Sequence, residues 1–127
     1  MPYRIEWEKS GIHTTWTGLV SSKAVLAFQR EIQEDDRFDS LRYSLHDFAG
    51  CTAVSAATEE MEEVAYKDLA GASSNKYPIK IAFITANPEV IDLIRLYTQT
   101  GASPYPTKIF TDMASARAWA APQMAWR

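Results

Sequence analysis

The sequence predicts an α/β fold. Its sheet is five-stranded and mostly parallel, with an antiparallel N-terminal edge strand and helices mainly on one face. Three observations carry this. Apolar residues alternate strictly over residues 3–8 and 12–17, and "SG" separates the two runs, which describes a hairpin. From residue 23 onward, helical and strand-like segments alternate, and that order demands right-handed crossovers between parallel strands. The first three strands each have one apolar and one polar side, whereas a sheet covered on both faces would be apolar on both.

Each element has its own signal. "YRIEWE" sets Tyr3, Ile5 and Trp7 on one side and Arg4, Glu6 and Glu8 on the other. Ile12, Thr14 and Trp16 alternate with His13, Thr15 and Thr17. If Ser10–Gly11 is a two-residue turn, Glu8 opposes His13, Trp7 opposes Thr14, and Ile5 opposes Trp16. After Ser21 or Ser22 as cap, "KAVLAFQREIQE" lines Val25, Phe28, Gln29 and Ile32 along one helical face. "DDRFDS" reads as a loop and residues 41–48, "LRYSLHDF", as the third strand. A second helix begins at Ser55 or Thr58, with Met61, Val64, Ala65 and Leu69 inward. "IKIAFIT" at 79–85 is the most apolar strand and therefore central. Asn87, Pro88 and Glu89 form a strong helix start, and Gly101 a stop. "TKIFT" is the last strand, and Asp112 caps a short helix that Pro122 ends.

Arg42, Ser44, His46 and Phe48 are expected on the less covered face, with Lys80, Ala82 and Ile84 beside them. The C-terminal "QMAWR", through Met124 and Trp126, is the expected cover for that face.

With 127 residues, 46% of them hydrophobic, the chain is expected to form one domain, residues 1–127, with a useful core. A net charge of −3 offers no basic footprint for nucleic acid and no polybasic segment for anionic lipid. No apolar run suits a signal peptide or a membrane span. The single Cys51 cannot form an internal disulfide, and a cytoplasmic protein is expected.

The chain is similar to the SpoIIAA-like family, the group that includes STAS domains. The element order carries the resemblance, with "YRIEWEKSG" opening a hairpin, "LRYSLHDFAG" as third strand, and "KIFTDMASARAWA" as closing strand and helix. It resembles most the bacterial branch called STAS-like or STAS/SEC14-like. In STAS-type anti-sigma-factor antagonists a partner kinase phosphorylates a serine or threonine in a loop resembling D-L-S-G-V-x-x-[IVM]-D-[ST]-[ST]-G. Here "DFAGCTAVSAAT" matches at Asp47 and Gly50, but Ala56 and Ala57 occupy the acceptor positions. Alanine has no hydroxyl, so the resemblance implies a module without the usual phosphoacceptor. Ser55 and Thr58 read more simply as helix caps.

Other chemistries lack their parts. Cys51 has no lysine or arginine between residues 43 and 66 to lower its pKa, and the expected helix start lies several residues beyond it. His13 and His46 are both assigned to the polar face, roughly 13 Å apart along the sheet. Two histidines and one cysteine make a structural zinc improbable. "TEEMEE" suits a helix N-terminus, and no phosphate-binding glycine motif occurs, so neither metal nor cofactor is expected. The remaining candidate is the rim beyond the carboxyl ends of the strands, where Asp47, Ser55, Thr58, Thr85 and Asn87 gather small polar groups near helix starts.

The expected function is a non-enzymatic regulatory or protein-interaction module, acting on a protein partner or a second copy of the chain. The alternative is a carrier or sensor of a small apolar or lipid-like ligand, implied by the STAS/SEC14-like likeness. A closed apolar pocket under the helices would favour the carrier. A solid core beside a bare, partly apolar sheet face would favour the interaction module.

Overall fold

The computed structural model describes residues 2–121. Its strands are β1 (Tyr3–Trp7), β2 (Gly11–Ser21), β3 (Tyr43–Ser55), β4 (Lys80–Ile84) and β5 (Thr107–Phe110). Its helices are α1 (Ser22–Gln33), α2 (Thr58–Gly71), α3 (Pro88–Thr98) and α4 (Met113–Ala120). The sheet runs β1-β2-β3-β4-β5, antiparallel at β1–β2 and parallel elsewhere. Each parallel step moves one place in the same direction. Right-handed crossovers therefore bring α1, α2 and α3 to the same face. Among the described residues no strand follows α4, which packs on the other face, against β3, β4 and β5.

The two faces hold separate cores. Under α1–α3 lie Tyr3, Ile12, Trp16, Phe28, Phe48, Met61, Ile81, Phe83 and Leu93, all buried. Under α4, Leu45, Ala82 and Ile84 meet Ala116 and Ala120. Among the described residues, α4 covers the part of the second face assigned above to the C-terminal tail. Pro122, Met124 and Trp126 lie outside the described residues.

The third strand corrects one expectation. Thr14 pairs with His46 and His13 with Leu45, so Ser44, His46 and Phe48 face α1–α3 instead of sharing His13's face. The two histidines are one register step apart, not four, and point to opposite sides of the sheet. Strand three is packed on both faces, which erases its period-two signal.

The hairpin register also differs from expectation. Glu6 pairs with His13, Trp7 with Ile12, Ile5 with Thr14 and Tyr3 with Trp16. The Glu8 N–H donates to the Gly11 carbonyl at 2.8 Å, so the turn is Lys9–Ser10. Gly11 serves packing: a Cβ there would lie 2.3 Å from the Tyr43 ring.

Strand β3 runs on to Ser55, so residues 49–55 are strand and not loop. They stay paired with β2 through register shifts beside Gly18, whose φ of 68° suits glycine at such an irregularity. "DDRFDS" supplies a 3₁₀ turn, Asp36–Ser40, that buries Phe38. On α2, Leu69 is 50% exposed, against the inward placement expected for it.

Candidate functional site

Between α1–α3 and the sheet lies a cavity of about 80 Å³. Its walls are mainly apolar, with Phe28, Ile32, Ile81, Phe83, Leu93 and Ile94 among them. Six polar residues also reach it: Gln29, Ser44, His46, Asp68, Tyr97 and Tyr105.

His46 stands in the wall beside Trp16. The Trp16 indole N–H donates to its Nδ1 at 3.1 Å. A neutral ring accepting at Nδ1 carries its proton on Nε2, which donates to the Ser44 hydroxyl 3.1 Å away. The ring stacks with Phe48 and Phe83 and meets Phe28 edge-on. Burial among these rings pushes its pKa down to about 3. His46 is therefore a neutral, hydrogen-bonded part of the wall.

Gln29 comes from the apolar stripe of α1 and is buried. Its Nε2 donates to the Val64 carbonyl at 2.7 Å and to Asp68 Oδ1 at 2.9 Å. These two acceptors define the amide's orientation, since the flipped amide would set oxygen against oxygen. The Oε1 is buried and has no hydrogen-bond partner among the described residues. Such an orphan costs about 1–3 kcal/mol when left unsatisfied.

Asp68 also accepts from the Tyr97 hydroxyl, which in turn bonds Ser103 at 2.7 Å. Burial raises the Asp68 pKa, while donation from Tyr97 and Gln29 lowers it; the net direction is upward. Tyr97 and Tyr105 are shifted upward, first by burial and then by the Asp68 charge.

The rim residues fall into two groups. Asp47 pairs with Ile84 at the end of β4, and Thr85 and Asn87 follow directly. Ser55 lies eight residues further along β3, roughly 25 Å on for an extended strand. Thr58 opens α2 near Ser55. Asp47 Oδ1 accepts from the Ala49 N–H, Thr85 Oγ1 from the Asn87 N–H, and Asn87 Oδ1 from the Glu89 N–H. The expected capping of α2 by Ser55 or Thr58 is not what forms. The N-cap is Ala57, without a side-chain bond of its own. Ser22 supplies the missing oxygen: its Oγ accepts from the Ala57 N–H at 3.0 Å and donates to Glu60 at 2.6 Å. Cys51 is buried and donates to the Ala53 carbonyl, and burial raises its pKa. Among the described residues, no three His, Cys, Asp or Glu side chains group to hold a metal ion.

The sequence reading missed the cavity's polar wall. A signal for it existed: Gln29 interrupts an apolar stripe, and Met61, Val64, Ala65 and Asp68 share helical spacing.

Two solved structures share this architecture. The unphosphorylated anti-sigma factor antagonist SpoIIAA superposes with a TM-score of 0.56 at 8% identity, covering 89% of this chain and 91% of its own. An uncharacterised protein of the DUF3478 family from Shewanella loihica PV-4, described as having a SpoIIAA-like fold, gives 0.52 at 14% identity, covering 93% and 91%. The chain therefore has the SpoIIAA-like α/β fold. No family model and no curated protein matches it. Among the described residues, no helix is long and apolar enough to cross a membrane.

Proposed function

We propose that the chain is a non-enzymatic binding module that holds a small, mainly apolar molecule in the cavity between α1–α3 and the sheet. The cavity itself carries this reading, since native interiors are close-packed and leave few voids of this size. Its volume supports a molecule of a few heavy atoms over a lipid chain. An apolar cavity of about 150 Å³ suffices for benzene, whereas drug-sized ligands occupy about 300–1,000 Å³. Ser44 and His46 meet in its wall but are not set as nucleophile and base, because the Trp16 bond to Nδ1 leaves the ring proton on Nε2, the nitrogen that faces the Ser44 hydroxyl. Xenon tests the reading as a featureless apolar probe. Dissolved xenon should shift the methyl NMR signals of Ile81, Leu93 and Ile94 and spare those of Leu19 and Leu69. Equal response everywhere would sink it.

A regulatory, partner-binding role is a second reading. It is supported by Tyr66 and Leu69, which stand exposed three residues apart on α2. It also draws on the role named for the SpoIIAA structure, an anti-sigma factor antagonist. Control by phosphate is not part of it, because Ala56 and Ala57 precede α2. The intact mass of protein isolated from cells should show no phosphate. Stoichiometric phosphate on Ser55 or Thr58 would restore the phosphoswitch.

A further inference from the structure

We propose that the chain self-associates through the outer edge of β1. That strand pairs antiparallel with β1 of a second copy about a two-fold axis at Ile5, which joins the two sheets into one. The proposal is independent of the cavity.

The backbone presents the edge. β1 ends the sheet, and β2 pairs with one of its two sides. The Glu8 N–H donates to the Gly11 carbonyl and the Thr17 N–H to the Pro2 carbonyl, each at 2.8 Å. Hydrogen-bonded pairs alternate along an antiparallel ladder, so Pro2, Arg4, Glu6 and Glu8 turn their backbone groups towards β2. Tyr3, Ile5 and Trp7 turn theirs outward. Among the described residues, no backbone group outside the hairpin bonds to them. Pro2 belongs to the inward set, so every outward residue of the strand keeps its N–H.

The side chains choose the second copy as occupant, because "YRIEW" is complementary to itself when reversed. An axis at Ile5 sets Ile5 against Ile5, Tyr3 against Trp7 and Arg4 against Glu6. All three outward residues then exchange both backbone bonds with an outward residue. Aromatic meets aromatic on the face under α1–α3, and opposite charges meet twice on the other face. Arg4 and Glu6 are exposed and attract each other within the strand at 3.1 Å. Pairing turns that couple into a quartet of alternating sign. An axis at Arg4 or Glu6 would oppose like charges, and an axis at Tyr3 or Trp7 would leave most of the strand unpaired. The far edge of the sheet has no such match. β5 carries Lys108 and no acidic residue, so two copies would bring lysines together without a counter-charge.

Five residues a side fall short of the roughly 20–30 of a standard interface, so the association is weak. The test follows the whole chain by sedimentation and by amide hydrogen exchange between about 10 µM and 1 mM. The sedimenting mass should rise towards that of a dimer. The Tyr3, Ile5 and Trp7 amides should exchange freely when dilute and slow several-fold when concentrated, while Arg4 and Glu6, bonded within the hairpin, keep their rates. Arg4→Glu and Glu6→Arg each oppose like charges in a homodimer and should weaken it about tenfold or more. An equimolar mixture of the two variants restores both opposite pairs and should associate as the wild type does. The wild-type exchange pattern decides the matter even where a variant fails to fold. A chain that stays monomeric up to about 1 mM overturns the proposal. So do edge amides protected equally at every concentration, the result expected if a segment of the same chain covers β1. Folded variants that do not associate when mixed overturn it as well.

Discussion

His46 shows how one side chain's burial reaches the behaviour of the whole protein. Its folded pKa of about 3 lies below its ordinary value of 6.5. The unfolded chain therefore takes the proton first as pH falls. Stability from the neutral ring is complete above about pH 6.5 and is lost as pH falls towards 3, by up to about 1.4 kcal/mol per pH unit. Asp68, shifted upward, acts in the opposite sense: its penalty is relieved as it protonates. Denaturant unfolding between about pH 7 and 5 should thus show stability falling with acid in the wild type, and a flatter or reversed slope in His46→Phe. The variant also loses the Trp16 bond, so its absolute stability drops. The slope is what identifies the titration. Identical slopes would mean that His46 is charged or exposed.

At the scale of the element, the start of α2 shows a cap supplied across the chain. A hydroxyl at Thr58 or Ser55 is the local solution, and the fold uses Ser22 instead, with its side chain buried at the start of α1. Ser22→Ala removes both the bond from Ala57 N–H and the bond to Glu60, and should cost about 1–2 kcal/mol. That corresponds to a melting temperature lower by several degrees. Thr58→Ala touches an exposed position and should stay within about 0.5 kcal/mol. Equal shifts in the two melting curves would return the cap to Thr58. Part of this element was legible and part was not. The acidic first turn and the inward Met61, Val64 and Ala65 follow from spacing alone. The cap does not, because Ser22 is 35 residues away from Ala57 and only the α1·α2 contact brings them together.

Across the whole molecule, the N-terminal hairpin and the last helix are tied by charge. Arg117 of α4 makes a bidentate pair with Glu8 at 3.0 and 2.8 Å, and the Tyr43 hydroxyl donates to the same carboxylate at 2.5 Å. The Arg117 bonds, more than that of Tyr43, lower the Glu8 pKa from 4.5 to about 2. A carboxylate shifted this way adds stability above its unfolded pKa and loses it as pH falls from about 4.5 to 2. The pair is partly exposed, so screening holds its worth to about 1 kcal/mol or less. Arg117→Gln should bring the Glu8 pKa most of the way back to its ordinary value in a carboxyl-carbon NMR titration. A Glu8 that still titrates near 2 would mean that α4 does not dock there.

Taken alone, the sequence determined the element order, the antiparallel first pair, the gathering of crossover helices on one face and the helix start at Asn87. These depend on local periodicity, capping chemistry and crossover handedness, all of which act within one element or one connection. Tertiary structure decided the hairpin register, because the Tyr43 ring, 32 positions beyond Gly11, claims the space above that glycine. It decided the face of His46, since both faces of β3 are buried and alternation carries no information there. It decided the length of β3, whose small residues 49–55 resemble a loop until β2 pairs with them. The cavity belongs to the same class. A void is set by how helices from three crossovers meet one sheet, and no stretch of sequence contains all of its walls.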